Sequence, residues 1–175
     1  MAEILQEKWM KGVALTTTVL AVLTSIAASR AGFCVAKNQV LTALEGSKWA
    51  YYQAKSIKQN LAETQKSNFD VAILGATTPE QKDLLEKNIK TSTSEIARYD
   101  QEKNQVKSEA EKVGADNQII SRRGNNFSMS VVFFQIGIML SSVGAFLKRK
   151  ELWLIGLIAS CVAIVYLANG LFLFF

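Results

Sequence analysis

The sequence contains no histidine, which removes the commonest general base and the commonest metal ligand found in proteins. It has two cysteines, Cys34 and Cys161, whose placement fits neither a disulfide framework nor a metal-ligand spacing, and we expect both thiols to be reduced and structural. The phosphate-binding loop, the G-x-S-x-G nucleophile elbow and the H-E-x-x-H zinc motif are also missing. The sequence therefore predicts a protein that is not an enzyme, with no catalytic residue, no metal and no cofactor.

Asp, Glu, Lys and Arg are absent from three long hydrophobic runs, residues 12–29, 127–147 and 152–175. Each run is about long enough to cross the roughly 30 Å of hydrocarbon in a bilayer as a helix. Only Lys148-Arg149-Lys150-Glu151 separates the second run from the third, so these two helices must be antiparallel. The absence of charge at depth argues against an ion-driven pump. The predicted fold class is an all-α membrane protein with three transmembrane helices.

The formal net charge of +5 raises the question of nucleic-acid or anionic-lipid binding. Across residues 37–126, however, acidic and basic residues are nearly balanced, and they alternate instead of forming one basic face. Such alternation is typical of a solvated helix surface. We therefore expect no nucleic-acid partner.

Residues 84–113 carry the strongest pattern, in which an apolar or small residue recurs at alternating steps of four and three. This is the period of a coiled-coil seam that a partner helix must cover, and Lys103 fills its one missing slot. The other members of the seam are Leu85, Ile89, Ser92, Ile96, Tyr99, Val106, Ala110 and Val113. We expect the larger of these side chains, all except Ser92 and Ala110, to contact further copies of the chain in a homo-oligomer.

A looser seam precedes it on the first polar helix. It consists of Val40, Leu44, Ser47, Tyr51, Ala54, Lys58 and Leu61. The quartet Thr78-Pro79-Glu80-Gln81 is a helix-start signature, so the second polar helix is predicted to run from near Pro79 to Gly114. Residues 116–126 are predicted to be a linker in which Gly124-Asn125-Asn126 breaks the helix. Two matched helices with a short connection most simply form an antiparallel hairpin.

The domain organisation follows from these elements. Residues 1–36 form an amphipathic lead-in and the first transmembrane helix, residues 37–126 an extramembrane coiled-coil hairpin, and residues 127–175 the transmembrane pair. The apolar hairpin tip, at about residues 67–78, either caps the hairpin or docks a neighbour. The short basic loop before the third run favours its own side as cytoplasmic, which would place the hairpin outside by a margin of one residue.

Small and hydroxylated residues mark the predicted spans. In the first span, Thr17, Thr18, Thr24 and Ser25 either support close helix packing or line a passive pore, because a hydroxyl-lined lumen needs no charge. In the second and third spans, small-xxx-small contact faces are predicted. They consist of Gly137, Ser141 and Ala145 on one helix and Gly156 and Ser160 on the other.

The cluster at residues 49–58 is the best candidate for a binding site. Its members are Trp49, Tyr51, Tyr52, Gln53, Lys55 and Lys58. One interpretation is that the aromatics pack across the hairpin or onto a neighbour while the lysines pair with acids on the opposing helix. The other is a lipid headgroup or anionic-ligand contact, to which lysines give charge and aromatics an amphipathic surface.

These residues also carry a family resemblance that covers nearly the whole chain. The sequence W-A-Y-Y-Q-A-K-S-I-K at residues 49–58 is its most specific part, supported by E-K-W at 7–9, V-A-L-T-T at 13–17 and L-A-V-L at 20–23. Together they resemble the bacterial membrane family catalogued as domain of unknown function 4337. The family pattern carries a histidine shortly before the second span, where this sequence reads R-G-N-N-F. The resemblance implies a bacterial multi-pass membrane protein and implies no reaction, and we expect the membrane to be the inner one.

We therefore expect a non-enzymatic, homo-oligomeric scaffold whose partners are its own copies and membrane lipids. Two alternatives remain open from the sequence. One is an oligomeric channel lined by the first transmembrane helix, which a planar-bilayer recording would detect. The other is a regulatory or sensor subunit of another membrane protein, which would co-purify in fixed proportion.

Overall fold

A computed structural model of the chain describes residues 2–174 and the side chains of residues 9–174. The described part contains the helices α1 (Ala2–Ala72), α2 (Pro79–Phe146) and α3 (Lys150–Phe172), with a 3₁₀ helix at Ile73–Gly75. Because no strand occurs among these residues, the predicted all-helical class is confirmed. Most side chains of the predicted amphipathic lead-in lie outside the described residues. Each of the three long helices contains a segment long and apolar enough to cross a membrane.

The start of α2 at Pro79 confirms the helix-start signature. The Thr78 hydroxyl accepts the backbone N–H of Gln81 at 3.3 Å, and the Gln81 side-chain oxygen accepts the backbone N–H of Thr78 at 3.4 Å. This reciprocal pair satisfies donors that a helix start leaves without intrahelical partners.

The predicted end of this helix at Gly114, and the predicted break at Gly124-Asn125-Asn126, are wrong. α2 continues without interruption to Phe146. A Cβ added to Gly114 would lie 2.9 Å from Glu45 Oε1, and one added to Gly124 would lie 3.1 Å from Cys34 Cβ. These glycines are therefore sites of close approach by α1, and they do not end the helix. The tip is also shorter than predicted, because α1 extends to Ala72.

The chain forms two compact units. The first comprises α1 up to Val40 together with the chain from Asn117 onwards, and its core joins Leu20 and Ala27 of α1 to Phe134 of α2 and Ala163 of α3. On α1 the buried positions of this unit recur every seven residues. They are Val13, Leu20, Ala27 and Cys34.

Within this unit, α2 and α3 approach closely through the small residues that the sequence singled out. A Cβ added to Gly156 would lie 2.8 Å from the Gly137 carbonyl oxygen and 2.9 Å from Ser141 Oγ. Ser160 is buried and donates its hydroxyl to the Gly156 carbonyl at 2.8 Å. The predicted contact faces on these two helices are confirmed.

The second unit, Leu41–Asp116, contains the remainder of α1 and the first part of α2. Residue pairs that join the two helices run in opposite order, from Lys48 with Glu109 to Lys55 with Glu102. The two segments are therefore antiparallel in this unit. Ala62 of α1 and Val106 and Ala110 of α2 are its most buried apolar residues.

The looser seam predicted on α1 does not form the buried centre of the contact with α2. Leu44, Tyr51 and Leu61 are 43%, 50% and 57% exposed. A different set of α1 residues is covered, again at steps of four and three, and we call it the inner face. It consists of Leu41, Glu45, Lys48, Tyr52, Lys55, Gln59, Ala62, Lys66 and Phe69.

Candidate functional site

The candidate site at residues 49–58 is centred on Lys55, which lies on the inner face of α1. Its ammonium lies 2.5 Å from Glu102 Oε2 on α2. The same ammonium lies 5.1 Å from the ring centroid of Tyr51 and 5.6 Å from that of Tyr99. Cation–π contacts at this distance add to the ion pair. Lys55 is thus held inside the second unit by α1 and α2 together.

The electrostatics of the pair follow from this geometry. The hydrogen bond from Lys55 lowers the pKa of Glu102, and the positive charges of Lys55, Arg98 and Lys58 act in the same direction. The hydrogen bond with Glu102 raises the pKa of Lys55, and a hydrogen bond with Tyr51 adds to this effect. Both shifts favour the charged forms, so neither group is set up for proton transfer near neutral pH.

The other members of the cluster do not converge on one ligand position. Trp49 and Tyr52 are half-buried and form an edge-to-face pair with ring centroids 5.6 Å apart. Gln53 and Lys58 are exposed. The arrangement matches the interpretation in which aromatics pack together and a lysine pairs with an acid of the opposing helix. The headgroup interpretation of this cluster stays a prediction.

Two further polar contacts extend the inner face along α2. Lys48 Nζ donates to Glu109 Oε2 at 2.6 Å, and this hydrogen bond lowers the pKa of Glu109. Lys103, which interrupts the apolar seam of α2, donates to Gln59 Oε1 at 2.7 Å. The lysine at this seam position therefore has a hydrogen-bond acceptor opposite it on α1. Lys48, Lys55 and Gln59 can lie on the inner face because each has a polar partner on α2.

The predicted oligomer seam of α2 lies against this inner face. Ser92, Val106 and Ala110 are buried. The other members are partly covered, and they are Leu85, Ile89, Ile96, Tyr99, Lys103 and Val113. In the second unit the seam thus contacts α1 of the same chain. Contact between copies stays a prediction, for which a different surface is available.

That surface is one exposed face of α1, which we call the outer stripe. It consists of Leu44, Ser47, Tyr51, Ala54, Lys58 and Leu61, all exposed. The sequence revealed the spacing of these residues but not the side of the helix they occupy. The available signal was polar complementarity, since Lys48 and Lys55 match the acids Glu109 and Glu102, and Gln59 matches Lys103 on α2.

The hydroxyls that were candidates for a pore bond to their own helix. Thr17 and Thr18 donate to the carbonyls of Val13 and Ala14 at 3.0 and 2.8 Å. Thr24 and Ser25 make the same kind of bond, at 2.7 and 3.0 Å, to the carbonyls four residues earlier. Thr17 and Thr24 are half-buried, whereas Thr18 and Ser25 are exposed. The four hydroxyls therefore do not share one face of α1.

Among residues 9–174 there is no group of three or more Cys, Asp or Glu side chains placed to hold a metal ion. A family model described as "Domain of unknown function (DUF4337)" matches residues 9–173. No curated protein and no solved structure matches the chain at a significant level.

Proposed function

The chain belongs to the DUF4337 family, and we propose that it is a membrane-inserted scaffold that assembles with copies of itself. Its three apolar helices support insertion, and we assign it to the inner membrane of a bacterium as a multi-pass protein. The helix pair of residues 41–116 would then be the coiled-coil hairpin in water. The observation that carries the proposed self-assembly is the outer stripe of α1.

An apolar stripe facing water on a helix is typical of a contact surface. The outer stripe repeats at the coiled-coil period, and Leu44, Tyr51 and Leu61 are its large exposed side chains. α2 covers the inner face of the same helix, so the outer stripe stays available for another helix to cover. A second copy of the chain presents the same spacing and is the partner we propose.

The membrane favours a parallel arrangement of the two copies. All copies inserted in one direction are related by a rotation axis along the membrane normal, so equal residues of α1 meet across a two-fold axis. Leu44, Ala54 and Leu61 would each contact their own equivalents. Lys58 would also meet its equivalent, and a single lysine at a core position sets register and oligomer state at a cost in stability.

A second exposed face of α1, on a different side of the helix from the outer stripe, is also suited to helix contacts. In the first unit, small residues recur on an exposed face of the helix at steps of four and three, and include Ala14, Thr18, Ala21, Ser25 and Ala28. Small residues let helices approach closely in lipid, where van der Waals packing drives association. Each unit therefore presents on α1 a surface suited to a like helix.

The decisive experiment places the same charge on two helices. Ala54→Asp puts a carboxylate in the outer stripe, whereas Ala97→Asp puts one on the exposed face of α2. An unpaired buried carboxylate should weaken association by about 3 kcal/mol, roughly a hundredfold. The size of each full-length variant is measured in mild detergent by light scattering. We expect Ala54→Asp to dissociate the assembly and Ala97→Asp to leave it intact.

A monomeric wild-type protein, or equal assembly of the two variants, would contradict the proposal.

The exposure of Thr18 and Ser25 favours one second candidate, a pore surrounded by α1 of several copies. Purified protein in a planar bilayer distinguishes the two functions. A scaffold gives no conductance, whereas a pore gives steps that change in Thr18→Val.

A further inference from the structure

The first unit contains a cavity of about 150 Å³ lined by three basic residues. Arg30 and Lys37 reach it from α1, two helical turns apart, and Arg123 reaches it from α2. The volume is several times the roughly 30 Å³ that one water occupies in the liquid. The cavity therefore has room for a polyatomic group between its cations.

No carboxylate is among the residues that line this cavity. Among the described side chains of the first unit, Glu151 is the only carboxylate, at the start of α3. The cavity lies by Gly170 and Leu171 at the other end of that helix, about 30 Å away at 1.5 Å per residue. An anion in the cavity would balance the positive charge of Arg30, Lys37 and Arg123.

Arg123 adds a second, independent observation. Its Nε is buried and makes no hydrogen bond to any group in the structure. A buried donor without a partner costs free energy, and a guanidinium presents a rigid fork of donors that matches the oxygens of phosphate. The guanidinium of Arg123 therefore lies beside the cavity with one of its donors unsatisfied.

Apolar side chains form the rest of the lining. Phe33, Phe127 and Leu171 border the same cavity as the cations. Arg30 follows the apolar run of α1, Arg123 precedes that of α2, and Leu171 lies near the end of α3. In the proposed membrane this is the boundary between hydrocarbon and headgroups, where anionic lipid phosphates and basic side chains meet.

We propose that Arg30, Lys37 and Arg123 bind the phosphate of an anionic lipid headgroup in this cavity. The proposal rests on the proposed membrane insertion of the three helices. It does not depend on self-assembly. The phosphate accepts hydrogen bonds from Arg123. The positive charges of Arg30 and Lys37 balance its negative charge. The acyl chains extend along the apolar side of the lining.

The test uses the full chain in detergent, titrated with phosphatidylglycerol or with phosphatidylcholine of the same acyl chains. Native mass spectrometry counts the lipids retained. The wild type should retain phosphatidylglycerol in preference to phosphatidylcholine. Arg123→Gln should weaken this preference about fivefold, as expected for one basic residue at a lipid surface. Arg149→Gln, which removes an exposed arginine from the loop before α3, should preserve it.

If Arg123→Gln does not fold, Arg30→Gln replaces it in the test, because Arg30 is exposed. This variant should also weaken the preference for phosphatidylglycerol. Equal loss in Arg123→Gln and Arg149→Gln, or no preference in the wild type, would overturn the proposal. A further titration adds inorganic phosphate at constant ionic strength. Displacement of phosphatidylglycerol would identify a soluble phosphate as the ligand and overturn the lipid assignment, whereas retention supports it.

Carbonate extraction of membranes separates failure of this proposal from failure of insertion. A protein released by carbonate is not inserted, and the membrane assignment itself would then fall. If the protein resists carbonate extraction but shows no headgroup preference, only the proposed lipid-binding site is overturned.

Discussion

Lys55 and Glu102 show how single residues hold the second unit together. A position in a helix-helix seam normally suits an apolar side chain, yet here a lysine stem crosses the contact and its ammonium meets a carboxylate beside two tyrosine rings. The glutamate gains more from ionisation in the folded chain than in the unfolded one, because its pKa is lowered by that contact. Stability must then depend on pH.

The direction follows from linkage. A carboxyl group with a lowered pKa stabilises the fold fully above its ordinary value of 4.5, and this contribution is lost as the pH falls through the lowered value. Glu109 acts in the same direction. We expect the melting temperature, followed by circular dichroism in detergent, to stay nearly constant from about pH 7 to about pH 5 and to fall as the pH is lowered further.

Glu102→Gln should lower the melting temperature at neutral pH and reduce its fall in acid. The matched control is Glu111→Gln, which removes an exposed carboxylate whose ion pair with Lys107 lies within α2. If the melting temperature of Glu102→Gln falls in acid as much as that of the wild type, the Glu102 carboxyl group does not contribute to the pH dependence of stability.

At the scale of helices, α2 illustrates what sequence patterns can and cannot predict. The reciprocal bonds of Thr78 and Gln81 are local, so the start of the helix was predictable. The continuation of the helix past Gly114 and Gly124 was not predictable. In the sequence, a glycine that ends a helix looks the same as one that lets a neighbouring helix approach. Only the contacts with Glu45 and Cys34 distinguish them.

α1 shows the complementary difficulty. Two sets of residues on this helix repeat at the coiled-coil period, one partly apolar and one rich in Lys, Glu and Gln. Hydrophobicity favours the first as the contact with α2, whereas the structure uses the second because Glu109, Glu102 and Lys103 supply polar partners. The seam of α2 was predictable from its apolar content, but its partner surface required knowledge of pairs between distant segments.

Close packing of α2 and α3 leads to a prediction for two glycines. Gly156→Ala places a methyl group against the Gly137 carbonyl and Ser141 Oγ, so it should destabilise the fold by about 1–3 kcal/mol. In Gly46→Ala the added Cβ meets open space, and the better helix propensity should stabilise by about 0.5–1 kcal/mol. Thermal unfolding of both variants in the same detergent gives the comparison. Equal effects would mean that the helix contact tolerates a Cβ.

For the whole molecule, one helix carries most of the proposed functions. α1 gives its inner face to α2, its outer stripe to a second copy, and Arg30 and Lys37 to the proposed lipid site. Because these surfaces use different residues, the three interactions can form at once. Membrane insertion would fix the direction of every copy, and the outer stripe would then set the register of the contact in the second unit.

That dependence leads to a crosslinking prediction. The test starts from a chain in which Cys34 and Cys161 are replaced by alanine. In this background, Leu61→Cys should form a disulfide with residue 61 of the second copy. A parallel contact brings the two Cα atoms within the roughly 4–7 Å that a disulfide requires. An antiparallel contact centred on the stripe would pair residue 61 with Leu44 instead, and Leu61→Cys alone would remain monomeric on a non-reducing gel. Ala97→Cys, on the exposed face of α2, serves as the control and should not crosslink. A crosslink from that position but not from residue 61 would transfer the contact between copies from α1 to α2.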